Sequence, residues 1–152
     1  MHCLELRIPP LVLLFIFAAT MSVIAFVVPV PILVPGQLSI AVTLALIGAI
    51  ISMAGVATFR CNRTTVNPFT PDQTSSLVTT GIYRISRNPM YLGFLLALSG
   101  WGIYLGNWVS WILLPAYVAY MNYFQIQAEE RMLLARFGSH FLIYCNKVRR
   151  WV

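Results

Sequence analysis

The residues with the most chemistry to offer lie in two short runs. One is Gly81-Ile-Tyr-Arg-Ile-Ser-Arg-Asn-Pro-Met-Tyr-Leu-Gly93, polar and basic, which passes directly into the apolar stretch 92–105. The other is Asn122-Tyr-Phe-Gln-Ile-Gln-Ala-Glu-Glu-Arg131, which closes the next apolar stretch. If that second stretch continues as a helix, spacings of three and four put Asn122, Gln125 and Glu129 on one face, a polar stripe leading to a carboxylate. Charged and hydrogen-bonding groups are expensive beside hydrocarbon, so such clusters at the mouths of apolar segments mark a candidate site. Cys3, Cys61, Cys145, His2 and His140 are scattered without ligand spacing, so the sequence indicates neither a metal centre nor a disulfide framework. The chemistry on offer is binding by charge and hydrogen bonds. A plainer reading stands beside it: Arg84 and Arg87 as topology anchors, the tyrosines as interfacial belt residues, and Glu129, Glu130 and Arg131 as a helix leaving the bilayer.

The elements that position these runs are apolar. Of 152 residues, 59% are hydrophobic and 9% charged, and the mean hydropathy is +0.80, against a charged share of about 25% in soluble domains. The expected class is an all-α integral membrane bundle, a single domain over 1–152 with about four transmembrane helices at 10–28, 37–59, 90–105 and 109–126. A bilayer core asks for about 20 apolar residues per helix. Residues 10–28 meet that length without a charge and read as a retained first span rather than a signal peptide. Pro29, Pro31 and Pro35 then break the helix. Along the second span Ala41, Ala45, Gly48, Ser52 and Gly55 form a stripe of small residues where another helix can approach closely, and the stripe leaves room for a homodimer.

Arg60 and Arg63 end that span, and a connection of about 30 residues follows, long enough to be functional and expected to cap the membrane face. Gly106-Asn107 joins the last two spans as a tight hairpin, ringed by Trp101, Tyr104, Trp108 and Trp111 as an aromatic belt, with Pro115 expected to kink the second helix. The hairpin makes the 81–93 and 122–131 runs neighbours at one level. The net charge of +6 does not point to nucleic acid, because the ten basic residues follow a membrane rule. Arg7, Arg60, Arg63, Arg84, Arg87, Arg131, Arg136, Lys147, Arg149 and Arg150 all fall on one side, while both short turns are free of charge. The positive-inside rule puts both termini and the long loop in the cytoplasm.

The pattern Gly81-x-Tyr83-x-x-x-Arg87-Asn88-Pro89-x-Tyr91-x-Gly93, followed by an apolar hairpin, Glu129-Glu130 and Phe137-Gly138, resembles the isoprenylcysteine carboxyl methyltransferase and phospholipid methyltransferase group of membrane enzymes. The resemblance covers about residues 60–151 and implies S-adenosylmethionine as cofactor, held in the region 64–152. It implies that Ser75, Ser76, Leu77, Val78, Tyr83, Asn88, Pro89, Met90 and Tyr91 line the cofactor together with Glu129 and Glu130. It further implies catalytic or substrate-facing roles for Arg87, Glu129 and Gln125, and a close helix approach at Gly93. Where the prenylcysteine enzymes place an arginine four residues before the glutamate, this chain has Gln125.

Transfer from a sulfonium needs mainly positioning and exclusion of water, and aromatic faces of Tyr83, Tyr91 or Tyr123 suit a cation. The implied partners are a lipophilic or lipid-linked acceptor and membrane lipids. Residues 131–151 read as an amphipathic helix on the cytoplasmic leaflet that closes the pocket, or as an electrostatic anchor through Lys147, Arg149 and Arg150. Two other classes stay open: a nicotinamide-dependent membrane reductase of sterol-reductase-like type, and a non-catalytic membrane scaffold.

Overall fold

The computed structural model describes residues 8–61 and 77–152. Among them the ordered structure is helical, with one isolated bridge between Pro31 and Asn107. Helix α1 (Pro10–Val27) begins at a proline, whose missing N–H costs nothing in a first turn. Helix α2 (Gln37–Cys61) follows the proline-rich turn. Both are long and apolar enough to cross a membrane, and they leave large side chains such as Phe15, Phe26, Leu38, Leu46, Ile50 and Met53 exposed outward. An outer surface of that kind suits hydrocarbon rather than water.

A 3-10 turn (Gly81–Arg84) leads to α3 (Pro89–Leu105), a shorter apolar helix closed by Gly106 at φ 58°, the left-handed cap that glycine adopts without strain. A second 3-10 turn (Val109–Ile112), α4 (Leu113–Tyr120), a π-helical turn (Met121–Ile126) and α5 (Gln127–Phe137) then run on with helical dihedrals at each junction. They make one rod, and its departures from α geometry are the 3-10 turn ahead of Pro115 and the π turn beyond it. Residues 10–28, 37–59 and 90–105 are helical to within a few residues, and 109–126 is the first part of a rod that runs on to Phe137. Among the described residues α1 and α2 are the two helices that meet the length and apolarity of a membrane crossing.

Residues 131–151 do not form a single amphipathic helix. Gly138, at φ 52° and ψ −125°, takes a conformation closed to other residues, and α6 (Ser139–Lys147) folds back on α5. Its inner face buries Phe141 and Tyr144, with Val148 beyond, against Leu77, Leu133 and Phe137. Leu142 and Ile143 face outward.

Of the small-residue stripe of α2, Ala41, Gly48 and Gly55 are buried and pack on α3 of the same chain, while Ala45 is exposed. A side chain added at Gly48 or Gly93 would run into the opposing backbone, and a Cβ on Gly100 would lie 2.7 Å from the Ala41 carbonyl. Ser52 Oγ donates across this seam to the Met90 carbonyl at 3.1 Å. The main core lies on the other side of α3, where Leu13 and Met21 of α1 meet Tyr91, Leu98, Tyr117, Met121 and Ile126.

The two short turns are fastened to each other. Asn107, 3% exposed, donates through Nδ2 to the Val28 carbonyl at 2.6 Å, and its Oδ1 accepts from the N–H groups of Val109 and Ser110 at 3.0 and 3.2 Å. Ile32 N–H donates to the Gly106 carbonyl at 2.7 Å, and Ser110 Oγ to the Met21 carbonyl at 3.0 Å. Trp101, Tyr104, Trp108 and Trp111 stand exposed around this end. The opposite end carries the charges.

Candidate functional site

At that opposite end the first turn of α3 lies against the π turn and α5. Pro89 opens α3 and is itself buried, so Asn88 and Tyr91 project from a rigid helix start. The Tyr91 hydroxyl donates to Glu129 Oε1, and Gln125 Nε2 donates to the same oxygen at 3.0 Å. Gln125 is 2% exposed, and its spacing of four from Glu129 makes this pair the helical contact that the sequence implied. Tyr117 Oη supports the arrangement from below by donating to the Tyr91 carbonyl at 3.4 Å. Asn122 belongs to a different contact, for its Oδ1 accepts the Trp151 indole N–H at 3.1 Å. A π turn is wider than an α turn and often marks a functional site; here it separates Asn122 from the face that Gln125 and Glu129 share.

Burial pushes the Glu129 carboxyl up to about 7, against the hydrogen bonds from Tyr91 and Gln125, which favour the carboxylate; neighbouring Glu130 adds to the rise. The group therefore stands poised between neutral and charged near physiological pH. Such a perturbed carboxyl, fixed by two donors, makes Glu129 a candidate site residue.

Glu130 lies in an ionic cluster beside it. Arg87 Nη1 approaches Glu130 Oε1 at 3.3 Å and also meets Cys145 Sγ. Arg150 takes Glu130 in a fork, Nε to Oε1 at 3.1 Å and Nη2 to Oε2 at 2.5 Å, the bidentate geometry that makes arginine–carboxylate pairs strong. The Arg87 Nε is buried and has no hydrogen-bond partner among the described residues, a costly state for a cationic donor. Asn88 Nδ2 donates to the Arg150 carbonyl at 2.9 Å, and Arg87 N–H to the Arg149 carbonyl at 3.0 Å.

The remaining expected residues divide. Tyr83 is buried edge-on to Phe59, at 5.1 Å between ring centres and 88° between planes, and burial raises its hydroxyl well above the usual range. Its carbonyl accepts from Tyr144 Oη at 2.7 Å, which ties the 3-10 turn to α6. Val78 is buried, and Leu77 packs on the α6 cluster. Met90 packs against the main core and faces Gly55 across the seam. Tyr123 is exposed and its ring neighbours Phe124. Ser75 and Ser76, with Arg63 and the 64–71 part of the connection, lie outside the described residues.

Four contributors were not singled out as site residues in the sequence: Ser86, Cys145, Arg150 and Trp151. Ser86, 1% exposed, accepts the Asn88 N–H at 3.1 Å and donates to the Arg150 carbonyl at 3.4 Å. The available signals were a glycine at 138 able to reverse the chain and a tryptophan at 151 set among basic residues.

The fold and site together define a membrane-type helical protein with one polar, ionisable end. Residues 37–140 match the family described as phospholipid methyltransferase. A protein-S-isoprenylcysteine O-methyltransferase of Schizosaccharomyces pombe is 38% identical over 72 residues, 47% of this chain and 30% of that protein. Protein-S-isoprenylcysteine O-methyltransferase A of Arabidopsis thaliana is 32% identical over 103 residues, 68% of this chain and 52% of that one. An uncharacterized protein of Haemophilus influenzae is 41% identical over 63 residues, 41% of this chain and all of its own length. The chain thus spans about half or less of the named methyltransferases it matches. It belongs to the phospholipid methyltransferase family.

Proposed function

We propose that this protein is an integral membrane methyltransferase that transfers a methyl group from S-adenosylmethionine to a lipophilic acceptor, at the polar end built by α3, the π turn and α5. The observation that carries the reading is the Glu129 carboxyl, fixed by Tyr91 and Gln125 at the border of the apolar core and next to the Arg87–Glu130–Arg150 cluster. The donor set fits the group. A carboxylate suits its cationic parts, and the buried Arg87 Nε, without a hydrogen-bond partner among the described residues, suits an anionic one. When bound, S-adenosylmethionine supplies a methyl already activated on sulfonium sulfur.

The chain's own residues then have to bind, orient and exclude water. Glu129 would hold positive charge in its ionised form. Gln125 and Tyr91 would keep that carboxylate from rotating, and the buried surface of Tyr83, Val78 and Leu77 would shield the site from solvent. Family membership favours this chemistry over a nicotinamide-dependent reductase or a passive scaffold.

The same reading places four helical passages in the bilayer, α1, α2, α3 and the α4 rod, with the site on the cytoplasmic side. The fastening of the two charge-free turns to each other supports it, because both then lie at one level and the basic residues at the other. The test is calorimetric titration of the purified protein with S-adenosylmethionine, followed by mass spectrometry of membrane extracts incubated with methyl-labelled cofactor. Saturable binding and a new labelled lipophilic species are expected. Absence of binding would defeat the reading.

A further inference from the structure

The segment 148–152, after α6, crosses the polar end between two elements and bonds to each by different means. Toward α3 it uses backbone: the Arg149 carbonyl accepts the Arg87 N–H at 3.0 Å, and the Arg150 carbonyl accepts Asn88 Nδ2 at 2.9 Å and Ser86 Oγ at 3.4 Å. Toward the rod it uses side chains: Arg150 forks onto Glu130, and the Trp151 indole N–H reaches Asn122 Oδ1 at 3.1 Å. The Trp151 ring packs on the core cluster that holds Tyr91 and Ile126. Lys147 and Arg149 stand exposed as a surface anchor requires, whereas Arg150 is partly buried and turned inward onto Glu130.

We propose that Arg150 and Trp151 are positioning residues for the methyl-donor site: they clasp the first turn of α3, with Asn88 and Tyr91, to the rod that carries Gln125, Glu129 and Glu130. The inference rests on the reading of that site given under Proposed function. Its physical basis is leverage at close range. The clasp ends on Asn88, three residues from Tyr91, and on Glu130, adjacent to Glu129, so a shift of the segment alters the Tyr91–Glu129 bond directly. Backbone carbonyls bind almost any sequence alike, so the discrimination lies in the two side chains. An arginine fork and an indole N–H each fix direction as well as distance.

The experiment uses the intact protein in detergent, with S-adenosylmethionine as the probe. Arg150→Lys keeps the charge and loses the fork, and Trp151→Phe keeps a ring and loses the N–H. Each is expected to weaken binding about fivefold to tenfold, the worth of one directional hydrogen bond. Arg150→Ala is expected to bind more weakly than Arg150→Lys, and Asn122→Ala should add nothing to Trp151→Phe, because both remove the same bond. Thermal melting is followed in parallel. Unchanged affinity in both conservative variants, whatever their melting temperature, overturns the clasp. Should those variants fail to fold, amide exchange of the unmodified protein decides: the Arg87 N–H is expected to exchange more slowly once S-adenosylmethionine is added, and unaltered exchange overturns the proposal. A wild-type protein that binds no S-adenosylmethionine overturns the donor-site reading itself, an outcome seen before any variant is made.

Discussion

Each end of the helical assembly is tied by an asparagine, and the two asparagines work in opposite surroundings. Asn107 joins the turns at the charge-free end using neutral partners alone, the Val28 carbonyl and the N–H groups of Val109 and Ser110. Asn88, at the start of α3, holds the carbonyl of Arg150, whose guanidinium pairs with the Glu130 carboxylate that Arg87 also approaches. Neutral hydrogen bonds are enough to fasten one hairpin to another. Charges held under partial burial cost desolvation and are weak evidence for stability, so their concentration at one end points to a task beyond holding the fold together. One asparagine stands among neutral groups and the other beside the ionic cluster.

Substitutions at the two ends should separate these roles. Glu129→Ala removes the carboxylate and both of its hydrogen bonds, and it is expected to weaken S-adenosylmethionine binding by about a hundredfold or more, since hydrogen bonds to charged groups are worth about 1.5–3 kcal/mol each. It also leaves the buried Tyr91 hydroxyl and Gln125 amide without their acceptor, a loss of about 1–3 kcal/mol in stability, so affinity is the readout that marks this end. Asn107→Ala should lower stability and spare affinity. It strands the Val28 carbonyl and two N–H groups in a buried turn, a loss of about 2–3 kcal/mol in stability, while binding at the far end stays within about twofold. Equal losses of binding in the two variants would erase the distinction between the ends.

The smallest effect is the one read from pH. The Glu129 carboxyl rises from an ordinary 4.5 to about 7 in the folded protein, so the fold favours its protonated form. Its contribution to stability is therefore full below 4.5 and is lost as pH rises toward 7. Cation binding needs the ionised form and runs the other way. Affinity for S-adenosylmethionine should climb up to about tenfold per pH unit below 7 and level off above it. Glu129→Gln should flatten that profile, and a slope that survives the substitution would assign the titration to another group.

Much of this arrangement was legible in the residues. Uncharged runs bounded by prolines and arginines set the helices, because the bilayer length requirement acts on composition directly. Tyr91, Gln125 and Glu129 could be brought together on paper, since a two-residue turn forces α3 and its successor to run side by side and a spacing of four aligns Gln125 with Glu129. The π turn was not legible, because it inserts extra backbone without altering local composition, and it sends Asn122 to Trp151 rather than to the shared face. The reversal at Gly138 also escaped. Periodicity along 131–151 shows an apolar face but not what it packs against, and α6 turns that face onto Leu77 and Leu133. Arg150 and Trp151 reach the site only because of that reversal.

The seam between α2 and α3 has a further consequence. Backbone lies against backbone at Gly48, Gly93 and Gly100, and Ser52 Oγ bonds across the same joint, so parting it to admit a hydrocarbon tail would break close packing along its length. An acceptor entering from the bilayer toward Glu129 would meet less resistance between helices whose contact is made by rotatable rings such as Phe17, Tyr117 and Tyr120.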